Sequence, residues 1–165
     1  MPRPHTDNRW LAAATADMPP AMTDAVPPPA QDMTPYLALG GEPFVRTFCQ
    51  RFYALMDSLP EAAACRAVHP PSLERAEQRL YEYLTGWLGG PPLYTSQYGH
   101  PRLRMRHFVA PIGRSEVEGW LSCFRTAWDE LAGPSPHGDA VLHRVEALAW
   151  HMANKPDTGE APSQN

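Results

Sequence analysis

The stretch Ser115-Glu116-Val117-Glu118-Gly119-Trp120-Leu121-Ser122-Cys123-Phe124-Arg125-Thr126-Ala127-Trp128-Asp129-Glu130-Leu131 decides the fold class. Val117, Trp120, Leu121, Phe124, Trp128 and Leu131 recur at three- and four-residue steps. That spacing gathers them on one face of an α-helix, which turns once in about 3.6 residues. Ser115 and Glu118 have the spacing of a capping box that would start the helix, and Gly133-Pro134 would end it.

The same period governs the chain on either side. Thr34-Pro35 reads as an N-cap followed by proline in the first helical position, and Gly40-Gly41 stops that short turn. From Glu42 to Asp57, the residues Phe44, Phe48, Phe52, Leu55 and Met56 share a face. A short turn over Glu61 to Val68 follows Pro60, and His69-Pro70-Pro71 forces an extended corner. Ser72 is placed to cap a helix whose inner stripe is Leu73, Ala76, Leu80, Tyr83, Leu84 and Trp87, closed by Gly89-Gly90-Pro91-Pro92. Pro92 to Gly99 reads as a loop and Pro101 to His107 as a short helix. A last helix buries Val141, Val145, Leu148 and Met152. Nothing alternates with the two-residue period of a strand. The reading is all-α, with four main helices of about 15–17 residues, or about 22–26 Å each, packed as two antiparallel layers.

A chain of 165 residues supports one domain with a core of its own. Residues 1–33, with Pro19-Pro20 and Pro27-Pro28-Pro29, have few large apolar groups and read as a disordered extension. Trp10-Leu11 is the one sticky point in it. The domain is expected over 34–154, and 155–165 as a frayed polar tail. A formal net charge of -4 gives no whole-chain attraction to nucleic acid or anionic lipid. No apolar run approaches the roughly 18–20 residues of a membrane span. Cys49, Cys65 and Cys123 are widely spaced and form no CxxC pair, so they read as buried thiols of a reducing cytoplasm. The N-terminus lacks the apolar stretch of a signal peptide, which agrees with that location.

The chemistry concentrates in Gly99-His100-Pro101-Arg102-Leu103-Arg104-Met105-Arg106-His107 and in Trp120 beyond it. An imidazole ending a short basic helix can hold one iron through a ring nitrogen, and an indole N–H on the next helix can point into the same pocket. The pair suggests a haem protein. From residue chemistry alone, His107 reads more readily as a surface histidine whose charge suits a helix C-terminus, and His100 is a rival ligand. Arg102 to Arg106 does not read as an RNA-binding patch, because no interleaved aromatics support it.

Together these residues resemble the group II truncated haemoglobins, whose fold is a two-over-two helical sandwich. The resemblance rests on Arg51-Phe52-Tyr53, Ala76-Glu77-Gln78-Arg79-Leu80, Gly89-Gly90-Pro91 with Tyr94, the Gly99 to His107 run, and Glu118-Gly119-Trp120-Leu121. It spans about Tyr36 to Met152. It implies haem b as cofactor and selects His107 over His100 as the proximal iron ligand. Tyr53 and Trp120 match the polar residues of the distal face, each with a plain core reading beside it. His69 takes the corner position where it could donate a further hydrogen bond, link to Tyr53 or pack edge-on against that ring. Ala76 stands where vertebrate-type globins carry a distal histidine; its methyl offers no hydrogen bond and leaves a path for ligand. Leu80 is the expected apolar wall. Arg79, Arg106 and Tyr94 match contacts to the haem propionates, with solvated side chains as the alternative for the arginines.

The resemblance implies a protein that binds O2, CO and NO at a five-coordinate iron and releases them slowly. A monomer or homodimer is expected, with an external reductase as a candidate partner. Two other activities stand beside it: peroxidase-like or nitric-oxide-consuming redox chemistry, and gas sensing with the Pro-rich extension as output arm. A haem-free helical interaction module, with every residue above reduced to packing, is the reading from another class.

Overall fold

The computed structural model describes residues 33–156. The segments expected to be disordered, 1–33 and 155–165, lie almost wholly outside the described residues, Trp10-Leu11 with them. In chain order the helices are α1 (Pro35–Leu39), α2 (Glu42–Ser58), a 3-10 turn (Pro60–Ala62) running into α3 (Ala63–Ala67), α4 (Glu74–Trp87), α5 (Leu93–Tyr98), α6 (Leu103–His107), α7 (Arg114–Leu131) and α8 (Pro136–His151). Among the described residues there is no strand. The pair α2 and α4 packs on the pair α7 and α8, chiefly where α2 meets α7, which makes the two-over-two sandwich.

The core follows the stripes. Phe48, Phe52, Phe124 and Trp128 are each at most 2% exposed. Their rings form a continuous column, with Phe48 and Phe124 edge-to-face at 4.7 Å between centroids and Phe124 stacked on Trp128 at 5.8 Å. The column runs on through Trp120, Phe52 and Tyr53 to His69, at centroid separations of 5.3, 5.1, 4.9 and 6.1 Å. Edge and offset ring contacts of this kind add about 0.5–1.5 kcal/mol per pair beyond area burial. One end of the column is therefore hydrocarbon core and the other is polar.

Local start and stop signals explain most element ends. The Leu37 N–H donates to Thr34 Oγ1 at 3.3 Å, which caps α1. The Gly89-Gly90 turn then docks α1: the Tyr36 N–H donates to the Leu88 carbonyl at 2.9 Å. A Cβ on Gly90 would lie 2.8 Å from both the Thr85 carbonyl oxygen and the Tyr36 ring, so this turn needs the bare backbone.

Some boundaries differ from expectation. Helix α5 occupies most of the stretch read as a loop, because Pro91-Pro92 begins a helix as readily as it ends one. Helix α6 starts at Leu103 rather than Pro101, after Arg102 in a left-handed conformation at φ 45°. The cap of α7 lies two residues earlier than the Ser115–Glu118 spacing implied. Gly113 is extended and its N–H donates to Glu116 Oε2 at 2.8 Å, while Glu118 pairs with Arg114 at 3.7 Å. Ser72 does accept from the Glu74 N–H at 3.4 Å, though Leu73 takes the cap position. Leu73, Ala76, Leu80, Tyr83, Trp87 and Leu148 are half-buried rather than core, and Leu131 is 37% exposed at the end of its stripe.

Helix α7 approaches the turn before α3 closely enough to exclude any side chain at Gly119. A Cβ there would meet the Glu61 carbonyl oxygen at 2.8 Å and Ala62 Cα at 3.1 Å. Backbone atoms cannot swing aside as a flexible side chain can. Gly119→Ala is expected to lower stability by about 1–3 kcal/mol despite its higher helix propensity. Urea unfolding checks this, and an unchanged or raised midpoint contradicts the close approach.

Candidate functional site

Between the two layers lies a cavity of about 400 Å3. Its walls come from α4 (Ala76, Leu80, Leu84), the α6–α7 connection (Val109, Ile112) and α8 (Val145, Leu148). The half-buried stripe of α4 is thus a cavity wall. Tyr53, His69, Ala76, Arg79, Leu80, Tyr94, Arg106, His107 and Trp120 all line this one cavity, so every site residue expected from sequence is brought together. Cavities of this size that are mostly apolar with a few convergent polar groups are what small-molecule and cofactor sites look like.

The histidines are told apart by their hydrogen bonds. His107 Nδ1 lies 2.6 Å from the Leu103 carbonyl oxygen. A carbonyl only accepts, so Nδ1 carries the proton, and in the neutral ring Nε2 keeps its lone pair. The rival His100 has the opposite arrangement: its Nδ1 accepts from the Arg102 N–H at 3.1 Å. Its lone pair is used within the turn, and the residue is exposed and does not line the cavity.

His69 Nδ1 lies 2.8 Å from the Cys65 carbonyl oxygen, one turn back. By the same argument the neutral ring donates there and presents Nε2 as an acceptor. Its ring stands edge-on to Tyr53 at 6.1 Å and 72°. Of the readings open at the sequence level, this geometry has the edge-on contact and leaves a neutral His69 no N–H to donate into the cavity.

Tyr53 and Trp120 are donors held by packing. Tyr53 is 7% exposed. Burial, with Cys49 and Cys65 nearby, pushes its phenol far above the ordinary tyrosine range, so it keeps its O–H at all ordinary pH. Trp120 is fixed between Phe52 and Phe124. Among the described residues, no protein acceptor takes the Tyr53 O–H or the Trp120 Nε1–H.

The arginines rest on aromatic faces. Arg79 lies 4.0 Å above the Tyr98 ring and Arg106 5.7 Å from the Tyr94 centroid. Tyr94 in turn packs against Tyr83 and Tyr98. Among the described residues neither guanidinium has a carboxylate partner, unlike Arg46, Arg51, Arg66 and Arg125. Tyr98 was missed in the sequence; it lies four residues from Tyr94 on one helix face, a spacing hidden by reading the segment as a loop. Cys65 was also missed as a lining residue, since nothing in its sequence neighbourhood marks it.

The two-over-two sandwich and this cavity define a globin-type pocket. The family model for bacterial-like globins matches residues 34–154. A group II 2-on-2 haemoglobin of Agrobacterium tumefaciens superposes with TM-score 0.74 at 52% identity, covering 76% of this chain and 98% of that one. The group 2 truncated haemoglobin of Bacillus subtilis is 33% identical over 129 residues, which is 78% of this chain and 95% of that protein. A solved structure from Bacillus subtilis, described as a truncated oxygen-avid haemoglobin, gives TM-score 0.67 at 34% identity over 74% of this chain and all of that one. The chain belongs to the bacterial-like globin family, among the group II truncated haemoglobins.

The cofactor is haem b. The residues present suit that group: an apolar slot, His107 and His69 each with an Nε2 lone pair free in the neutral ring, and two guanidinium groups without carboxylates of their own.

The thiols give the site region a pH signature. Burial pushes Cys49 and Cys65 up to about 12 and Cys123 up to about 11. The fold therefore favours the protonated thiols. This contribution is complete below the ordinary thiol pKa of about 8.5 and is lost as pH rises toward the raised values. Urea midpoints are expected to fall steadily above about pH 8.5, with a shallower fall in Cys65→Ala. Equal slopes in the two proteins contradict the assignment of Cys65.

Proposed function

We propose that this chain is a cytoplasmic haem protein that takes O2, CO and NO reversibly at a five-coordinate iron and releases them slowly. The observation that carries the proposal is the His107 tautomer, fixed by the Leu103 carbonyl at 2.6 Å. Bound in the cavity, the haem supplies the iron at which a diatomic ligand is taken.

His107 Nε2 is the proximal donor, and its Nδ1–H bond to the backbone sets the ring plane and raises the basicity of Nε2. Arg79 and Arg106 bind the propionates through charge-assisted pairing. Arg106 is exposed, so its pair contributes little stability. Leu80 and Ala76 make the apolar wall, and the small side chain of Ala76 leaves room for ligand to pass. With the haem in place, Tyr53 O–H and Trp120 Nε1–H would be the donors offered to a diatomic ligand, and a hydrogen bond to a charged acceptor is worth about 1.5–3 kcal/mol. In the neutral ring His69 has spent its one N–H on the Cys65 carbonyl, so it packs edge-on against Tyr53 and is not a third donor. The oxygen-avid relative from Bacillus subtilis supports slow release. Three free, buried thiols support the reducing cytoplasm, where an external reductase returns ferric protein to the ferrous state.

The haem-loaded ferrous protein is expected to show a five-coordinate spectrum that His107→Gly loses and added imidazole restores. An unchanged ferrous spectrum in His107→Gly overturns the proposal. Tyr53→Phe and Trp120→Phe should each speed O2 release by about tenfold or more, at ~1.4 kcal/mol per factor of ten. His69→Phe should change it less than either. Stopped-flow O2 displacement measures all three, and a larger effect at His69 contradicts the acceptor assignment.

A further inference from the structure

Helix α6 carries the proximal histidine, yet little within it explains why it stays in place. It is 5 residues long, contributes no buried residue, and has no side-chain cap; its N-cap, Arg102, is in the left-handed region at φ 45°. Helices this short are unstable on their own in water, and packing ordinarily holds them. The connection that follows is no better anchored by side chains, since Phe108 and Val109 are 56% and 92% exposed.

The hold comes from the far end of the chain. Asn154, just past α8, donates from Nδ2 to the His107 carbonyl at 3.1 Å and to the Ala110 carbonyl at 2.9 Å. Its Oδ1 accepts from the Ile112 N–H at 3.0 Å. The backbone N–H groups of Asn154 and Lys155 both donate to the Ile112 carbonyl, at 2.8 and 3.0 Å. Arg104 adds a bond to the His151 carbonyl at 3.1 Å. The amide orientation is forced, because the flipped group would set its oxygen against two carbonyls and its NH2 against an N–H. Both polar atoms of the carboxamide are thus spent, in three hydrogen bonds, on the segment from His107 to Ile112. A serine or alanine could not reproduce that pattern.

We infer that Asn154 is a positioning residue for the proximal ligand: it clamps the His107 backbone and so fixes the imidazole against the haem. This rests on His107 being the iron ligand. The clamp works through the main chain, complementing the Leu103 carbonyl that orients the ring itself. It also makes the end of α8 a part of the proximal site, although it lies 47 residues away in sequence.

The test uses haem-loaded full-length protein, with Asn154→Ala, Asn154→Asp and Glu130→Gln beside the wild type. Glu130→Gln weakens the Arg51–Glu130 pair, which is remote from the cavity, and controls for general loss of stability. Resonance Raman of the ferrous form reads the iron–histidine stretch, and transfer to an apoglobin acceptor reads haem loss. Both Asn154 variants are expected to shift or broaden the stretch and to lose haem at least about tenfold faster, the usual scale for partners that orient a metal ligand. Glu130→Gln should leave the stretch in place. Asn154→Asp keeps the acceptor but not the donors, so it should resemble Asn154→Ala and not the wild type.

If both Asn154 variants keep the wild-type stretch and haem-loss rate while His107→Gly abolishes the stretch, the clamp is wrong and the ligand assignment stands. If His107→Gly retains the stretch, the ligand assignment itself has failed. Hydrogen exchange of the Asn154 side-chain amide in the wild type gives a reading that needs no variant to fold. Protection is expected, and exchange at the rate of an exposed asparagine overturns the clamp.

Discussion

The proposed function depends on the hydrogen bond from His107 Nδ1 to the Leu103 carbonyl. A histidine offers iron a lone pair only on an unprotonated nitrogen, and which nitrogen that is depends on what the other one touches. A backbone carbonyl one turn back settles the matter within the helix itself, with no titratable partner to change with pH. The same device, repeated at His69 and Cys65, has the opposite consequence for a donor. There it turns a residue that sequence chemistry would count as a donor into an acceptor. Under the proposed function the two histidines with the same local bond would act differently, one meeting a metal's need for a lone pair and the other a ligand's need for a proton.

A globin must also leave space in its interior, which costs packing energy in any small domain. Here the aromatic column compensates on one side. Trp128, Phe124, Phe48 and Phe52 form a dense hydrocarbon wall, and the column ends in Trp120 and Tyr53, which line the cavity while their rings pack against that wall. The donors are thereby as rigid as core residues. Gly119 takes part by letting α7 sit against the turn before α3, which brings Trp120 and the His69 corner to the same space.

The helical period made the sandwich legible, because α2, α4, α7 and α8 each bury a stripe long enough to register. The candidates that line the cavity were legible through their resemblance to a family, and residue chemistry alone left His100 and His107 equivalent. Their separation needed the turn around Arg102, which consumes one imidazole's lone pair and spares the other's. Helix α5 was obscured because Pro91-Pro92 carries the same signal at a helix start as at a helix end. The capping box moved because Gly113 has no side chain to announce a cap, and only its backbone N–H takes part. Asn154 could not be read from sequence at all: a lone asparagine after a helix is ordinary, and its partners lie more than forty residues earlier.

The most direct measurement is a crystal structure of the haem-loaded protein at a resolution that separates ring atoms. Continuous density is expected from His107 Nε2 to the iron, with Nδ1 still within hydrogen-bonding distance of the Leu103 carbonyl and the Tyr53 and Trp120 polar atoms on the other face. Iron ligated by His100 or His69 in place of His107, or a cavity closed by protein side chains with the haem elsewhere, would contradict it.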